Sequence, residues 1–374
     1  MKDHESKVDG LGVKEDIQPM LFKIYPGIRD RIGWIPLGRF PTPVEELSGS
    51  GLQNIWIKRD DISSTIYGGN KVRKLEFLLA DAIRKGKDRV VTMGGIGTNH
   101  GLATAVFCKK LGIACTLILF YQPVTSYVRR NLLLFHRYGA ELVYSKGMLK
   151  AGIDFYTTLR LRHPRAYFLY AGGSTPIGTL GFVNAVFELK GQIERGEMPK
   201  PRYIVCPLGS SGTMAGLSLG CMLGGLDDVD VIGVRVAASN LGPIKIASPD
   251  VVRSLMVKTY RLLKDVSSEV PDVNLARLPR VLDGYFGKGY GHPTDKGIAA
   301  MRFMRENHGI DLDPTYTSKA FAAVLDLAKA NAGGPILYWH TYNSVDLSSE
   351  AGSVDYHDLP REFHAFFEKG ELPV

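Results

Sequence analysis

The chain has 374 residues, a net charge of +8, and 45% hydrophobic against 22% charged residues. That balance suits a globular protein able to bury a core without disulfides or a structural metal, and at roughly 100–200 residues per domain it predicts two or three domains. Basic residues are scattered in runs no longer than two, with acidic residues between them, which argues against a nucleic-acid-binding arm and leaves a surface suited to anionic ligands. Cys108, Cys115, Cys206 and Cys221 form no C-x-x-C pair and are read as reduced thiols. The N-terminus shows no apolar secretory segment, and the longest apolar stretches, such as Ile113 to Tyr121, fall short of the ~20 residues that span a bilayer. A cytoplasmic protein with no membrane contact is expected.

In chain order, short apolar runs predict strands at Ile55–Lys58, Arg89–Met93, Cys115–Phe120, Glu141–Tyr144, Tyr167–Tyr170, Tyr203–Pro207, Val229–Val236, Val281–Asp283 and Ile336–His340. Helical patterns alternate with them; in Lys74–Lys85, residues Leu75, Leu78, Leu79 and Ala82 fall on one face. Strands apolar throughout, alternating with helices, predict an α/β fold of parallel sheets covered on both faces. The strands group into two sheet systems. They predict a small α/β domain over 74–182, inserted into a large domain of 1–73 and 183–374, with a ligand cleft between them. Near the end, Phe363, Phe366 and Phe367 share a helix face that would dock on the body or on a second subunit.

Three glycine-bearing loops stand at helix starts. In Gly68-Gly69-Asn70-Lys71-Val72-Arg73-Lys74-Leu75-Glu76, Lys71 faces the positive end of a helix dipole. That field lowers an amine's pKa, as an imine-forming nucleophile requires; alone, the same lysine also reads as a solvated residue. Gly94-Gly95-Ile96-Gly97-Thr98-Asn99-His100-Gly101 offers successive amides to an anion. As a dinucleotide fingerprint it fails, because His100 stands where glycine is needed and the next strand ends without an acid. Thr98, Asn99 and His100 are candidates for a substrate carboxylate, while Thr98 or Asn99 also reads as a helix cap. Gly209-Ser210-Ser211-Gly212-Thr213 suits a phosphate but lacks the lysine of a nucleotide-binding loop, and it also reads as a tight strand–helix connection.

Together with Ile57-Lys58-Arg59-Asp60-Asp61, Asp313-Pro314-Thr315-Tyr316-Thr317-Ser318-Lys319-Ala320 and Ile336-Leu337-Tyr338-Trp339-His340-Thr341, these loops resemble the D-cysteine desulfhydrase and 1-aminocyclopropane-1-carboxylate (ACC) deaminase family. The resemblance spans about residues 35–345. It implies a fold type II (tryptophan synthase β-like) enzyme, usually dimeric, that uses pyridoxal 5'-phosphate. By motif, Lys71 would carry the cofactor as a Schiff base. Lys74 with Gly209, Ser210, Ser211, Gly212 and Thr213 would hold its phosphate, and Asn99 and Thr341 would lie beside its ring. Thr98, Asn99, His100, Tyr290 and Thr317 would face the substrate, with Tyr290 and Tyr316 as the family's two active-site tyrosines. The Cα proton would pass to the freed Lys71 or to a tyrosine, Tyr316 foremost.

Deaminases of this family typically carry glutamate after the second tyrosine, and this chain has Thr317. With Thr341 near the ring nitrogen, a neutral hydroxyl favours β-elimination over ring opening. The expected activity is therefore α,β-elimination from a small amino acid, giving pyruvate, ammonia and the departing group. The alternatives are ACC deamination, or a non-catalytic protein of the same fold that binds the cofactor. Three departures from the family pattern stand beside the substrate. They are Thr98 for serine, Gly97 for glutamine, and Tyr342-Asn343 for Gly-Gly, and they open the site to other β-substituted alanines.

Overall fold

The computed structural model describes residues 18–49, 51, 53–241, 244–330 and 333–373. The strands are β1 Val44–Glu46, β2 Ile55–Arg59, β3 Arg89–Gly95, β4 Ala114–Phe120, β5 Glu141–Ser145, β6 Tyr167–Phe168, β7 Tyr203–Leu208, β8 Asp230–Arg235, β9 Asn240–Leu241, β10 Ile244–Lys245, β11 Arg280–Leu282 and β12 Ile336–His340. One sheet runs β1-β2-β12-β7-β8-β11, a second runs β5-β4-β3-β6, and β9 pairs only with β10. In the two main sheets every pairing is parallel except β1 with β2. This is the α/β architecture expected from the sequence.

Burial explains the pairing. All five residues of β12 and six of the seven in β4 are buried, as strands covered on both faces require. Side chains alternate between two cores in the large sheet. Ile204, Cys206 and Leu208 pack with helices Pro176–Glu194, Gly212–Leu223 and Pro249–Val266, whereas Val205 packs with Asp295–His308 and Thr317–Lys329. The small sheet packs one face on helices Lys71–Arg84, Asn99–Leu111 and Ser126–Arg137, and the other on Phe155 and Leu159.

The expected domain boundaries, after residues 73 and 182, both fall inside helices, Lys71–Arg84 and Pro176–Glu194. These two helices lie where the layers meet. At the chain's end Phe363 is fully buried, its ring 5.7 Å from that of Tyr144, and Phe366 lies 5.6 Å from the same ring. The terminal phenylalanines thus dock on the body, beside β5. No described helix is long and apolar enough to cross a membrane.

Candidate active site

The Gly68–Glu76 segment is built residue by residue to place one helix. A β-carbon at Gly68 would collide with the Asp61 carbonyl oxygen, and one at Gly69 would lie 2.8 Å from that of Thr341. Gly69 also has φ +91°, so the turn into the helix admits only glycine there. Lys71 then opens the helix Lys71–Arg84. Arg73 is buried and anchors that helix to the large sheet. Its Nε and Nη2 donate to Asp60 at 2.9 and 2.8 Å, and Nη1 donates to Glu188 at 2.9 Å. Trp339 Nε1 from β12 donates to the same Asp60 at 2.7 Å. Glu76, also buried, accepts from the Leu37 amide and Trp34 Nε1, both at 2.9 Å, and burial pushes its carboxyl up to about 7.

Lys71 is half-buried, and no described residue hydrogen-bonds its amine. Desolvation lowers its pKa to about 8, against the opposing pull of Asp313. Lys74 is fully buried, with no carboxylate partner among the described residues. Its Nζ donates only to the Gly172 carbonyl, at 3.1 Å. Desolvation, then the charge of Lys71, drives its pKa well below normal. The Gly209–Thr213 loop lies against it. Ser174 Oγ accepts from the Gly212 amide at 3.1 Å and donates to Ser210 Oγ at 2.8 Å. Thr213 Oγ1 accepts from Asn70 Nδ2 at 2.9 Å, tying this loop to the residue before Lys71. Ser211 takes φ +71° at the head of helix Gly212–Leu223.

A buried lysine amine that gains its proton beside an anion, hydroxyls and a helix N-terminus together fit a phosphate group. A β-carbon at Gly212 would lie 2.8 Å from Lys74 Nζ and 2.7 Å from Ser174 Oγ. Gly212→Ala is therefore expected to weaken cofactor phosphate binding by about tenfold or more, measured by titrating the cofactor into apoprotein. Affinity equal to wild type would remove this loop from the phosphate site.

The second loop follows β3. Thr98 caps helix Asn99–Leu111, its Oγ1 accepting from the Gly101 amide at 3.2 Å. Asn99 Oδ1 accepts from Asn131 Nδ2 at 3.3 Å. His100, expected to face a substrate carboxylate, lies in the first turn of the same helix. It points into the interior, with Nε2 3.0 Å from Thr92 Oγ1 and Nδ1 buried without a partner. Burial, with Lys71 and Lys74 adding to it, holds His100 well below the usual imidazole range. A neutral ring offers no charge to a carboxylate. Gln122, which the sequence reading passed over, covers this loop: it is buried and its Oε1 accepts from the Gly97 amide at 3.2 Å.

Tyr290 and Tyr316 share a hydrogen bond between their hydroxyls. Tyr316 Cε1 is 3.3 Å from where a Gly209 β-carbon would stand, so the pair adjoins the phosphate loop. Burial raises Tyr290 to about 12 and Tyr316 well above its ordinary value, Tyr290 adding to the latter. Thr317 is fully buried, and its Oγ1 donates to Asp313 Oδ1 at 2.7 Å. The side chain expected to face the substrate thus lies under the Tyr316 turn. Asp313 also accepts the amides of Thr315, Tyr316 and Thr317 at 2.9–3.0 Å, fixing that turn. The Thr341 carbonyl accepts from the Asn70 amide at 3.2 Å. Of the two residues replacing Gly-Gly, Asn343 accepts from the Gly68 amide at 2.6 Å, and the Tyr342 hydroxyl accepts from Arg130 Nη2, also at 2.6 Å.

The family described as pyridoxal-phosphate dependent enzyme matches residues 35–341. The chain belongs to it. D-cysteine desulfhydrase of Salmonella typhimurium is 33% identical over 315 residues, which cover 80% of this chain and 91% of that one. A crystal structure of an ACC deaminase homologue superposes with a TM-score of 0.71 at 30% identity, covering 90% of this chain and 99% of the other. A hydrogen sulfide-producing enzyme from Fusobacterium nucleatum shares the fold, with a TM-score of 0.57 at 17% identity.

The cofactor and fold class implied by the resemblance are those of this pyridoxal-phosphate enzyme family. Within it, Lys71, Lys74, Asn70 and the Gly209–Thr213 loop converge at the head of one helix, and Tyr316 closes over them. Gln122, Ser174 and Asp313 join the same constellation from distant parts of the chain. Each is an unremarkable polar residue until the strands set it in place.

Proposed function

We propose that the chain catalyses α,β-elimination on a small amino acid, releasing ammonia, pyruvate and the β-substituent. The observation that carries this reading is the division of acid–base labour. A lysine at about 8 stands with two hydrogen-bonded tyrosines held neutral by burial. A phenol whose pKa is raised gives up a proton reluctantly, so Tyr316 suits relaying a proton to a departing group better than removing one from Cα. The base is then Lys71, whose amine would face the Cα of the bound substrate.

Pyridoxal phosphate, when bound, supplies the electron sink that stabilises a Cα carbanion. Lys71 takes the Cα proton, the Tyr290–Tyr316 pair relays a proton toward the departing β-substituent, and Lys74 with the Gly209–Thr213 loop holds the phosphate. Thr98 and Asn99, at the open side of their helix start, orient the substrate carboxylate through the loop amides. The released aminoacrylate takes up water to give pyruvate and ammonia.

The reading includes a homodimer. Leu149, Ile153, Tyr156 and Leu161, exposed on two successive helices, form an apolar surface for a second copy. It also places the protein in the cytoplasm, where its four unpaired, buried thiols stay reduced.

The desulfhydrase relatives support sulfide as the departing group, and the structural likeness to an ACC deaminase homologue keeps deamination as the second reading. Incubating the holoenzyme with D-cysteine, L-cysteine and ACC separates them. Pyruvate from D-cysteine at a kcat/KM at least about tenfold above that for ACC is expected. Turnover of ACC alone transfers the reading to the deaminase. Intact visible absorbance with no turnover of any amino acid would mark a binding protein.

A further inference from the structure

A cavity of about 630 Å³ opens at the C-terminal end of β4, between the 288–292 segment and the chain's last turns. Two of its lining residues also belong to the active site. Gln122 holds the Gly97 amide from this side, and the Tyr290 hydroxyl reaches Tyr316. These two side chains border both the cavity and the catalytic cleft. The rest of the lining is mostly apolar, with Phe120, Met148 and Phe366 prominent; Tyr121, His292 and the two cations Lys288 and Lys369 supply its polar groups, and no aspartate or glutamate lines it. Neither ammonium is paired with a carboxylate among the described residues. Glu368, beside Lys369 in the chain, forms no ion pair with it among the described residues, and Glu371 reaches Arg129 at 3.4 Å. The terminal segment forming one wall is held in place. The Leu372 amide donates to the Val124 carbonyl at 2.8 Å, and Arg129 Nε donates to that of Phe366 at 2.9 Å.

Resting on the elimination reading above, we propose that this cavity receives the substrate's β-substituent and that this substituent is an extended group ending in an anion. Cysteine itself leaves such a volume empty, since cavities of this size accommodate ligands well beyond a small amino acid. An apolar floor with unpaired cations suits a short thioether or disulfide-like stem that carries a sulfonate or carboxylate outward. With cysteine S-sulfonate the step balances without any oxidant. The Cα proton goes to Lys71, the Cβ–S bond breaks with its electron pair on sulfur, thiosulfate departs, and water converts aminoacrylate to pyruvate and ammonium.

The test compares cysteine S-sulfonate with β-chloroalanine, which is short and neutral at its β-carbon, in wild type and in Lys288→Ala/Lys369→Ala. Both lysines are exposed and lie outside the catalytic set, so visible absorbance and melting are expected to stay at wild-type values. For cysteine S-sulfonate, KM is expected to rise about tenfold while kcat holds, whereas the chloroalanine constants move less than about twofold. Added salt should raise KM for the sulfonate selectively in wild type. Equal effects on both substrates, or no effect on the sulfonate, overturn the subsite while leaving elimination intact. If neither amino acid is turned over, the elimination reading fails, and calorimetric binding of cysteine S-sulfonate decides the subsite alone. Affinity about tenfold weaker in the double variant upholds it, and unchanged affinity overturns it.

Discussion

Replacing Lys71 with alanine is expected to abolish the visible absorbance of the cofactor-loaded protein and to lower turnover by at least about 10,000-fold, because one side chain is both the imine-forming amine and the base. The fold should tolerate the change. Lys71 makes no described hydrogen bond, and the helix it opens is held by Arg73 and Glu76. Circular dichroism and melting should therefore match wild type while absorbance and activity are lost; a variant that keeps its visible band would remove Lys71 from the centre of the site. The lowered pKa adds a pH signature. A lysine titrating at about 8 becomes a free amine as pH rises through 8, instead of through 10.5. Cofactor loading of the apoprotein should accelerate up to about pH 8 and then level off. Between about 8 and 10.5 the unfolded chain binds a proton that the folded chain has released, so this group's contribution to stability rises with pH across that window.

Arg73→Met is expected to produce the largest loss of stability, about 3–5 kcal/mol. Its guanidinium is 1% exposed and satisfies both oxygens of Asp60 as well as Glu188. Removing it strands two buried carboxylates, and the methionine returns only part of the packing over Phe40, whose ring centre lies 4.2 Å from the guanidinium carbon. Melting followed by both tryptophan fluorescence and visible absorbance would show the sheets and the cofactor site failing together. Arg73→Lys should recover only part of the loss, since a single ammonium cannot reproduce the two-pronged contact with Asp60. Melting of Arg73→Met at the wild-type temperature would show that the hub does not hold the helix.

The sequence revealed the sheets because their strands are buried on both faces. Nine apolar runs correspond to nine strands, and the run at Ile336–His340 matches its strand end to end. Three strands were omitted: Asn240–Leu241 and Ile244–Lys245 are two residues each, and Val44–Glu46 is a three-residue edge with two glutamates whose pairing rests on backbone hydrogen bonds that leave no apolar signature. The helix expected from Lys74 begins at Lys71, because its first turn is set by contacts with Asp60 and Asp61 rather than by periodicity. In the site, glycines made the loops readable, since each marks a close backbone approach. The roles of Thr317 and His100 were less readable. A threonine's hydroxyl or an imidazole faces the cleft or the interior according to its neighbours, here Asp313 at the start of the same turn and Thr92 on β3. Gln122 had no local signal at all, because its partner amide lies 25 residues away.

The position of β12 has a consequence for biosynthesis. It lies between β2 and β7 at the middle of the large sheet, yet it is the last strand to leave the ribosome. All four strands of the small sheet fall within residues 89–168, so that layer has its partners while synthesis continues. The large sheet waits as two halves, β1–β2 and β7–β8–β11, until Ile336–His340 joins them. Trp339 then reaches Asp60, and the Thr341 carbonyl closes on the turn before Lys71. A nascent chain paused short of residue 336 thus lacks the contacts that set Lys71, and loading with pyridoxal phosphate belongs to the finished polypeptide.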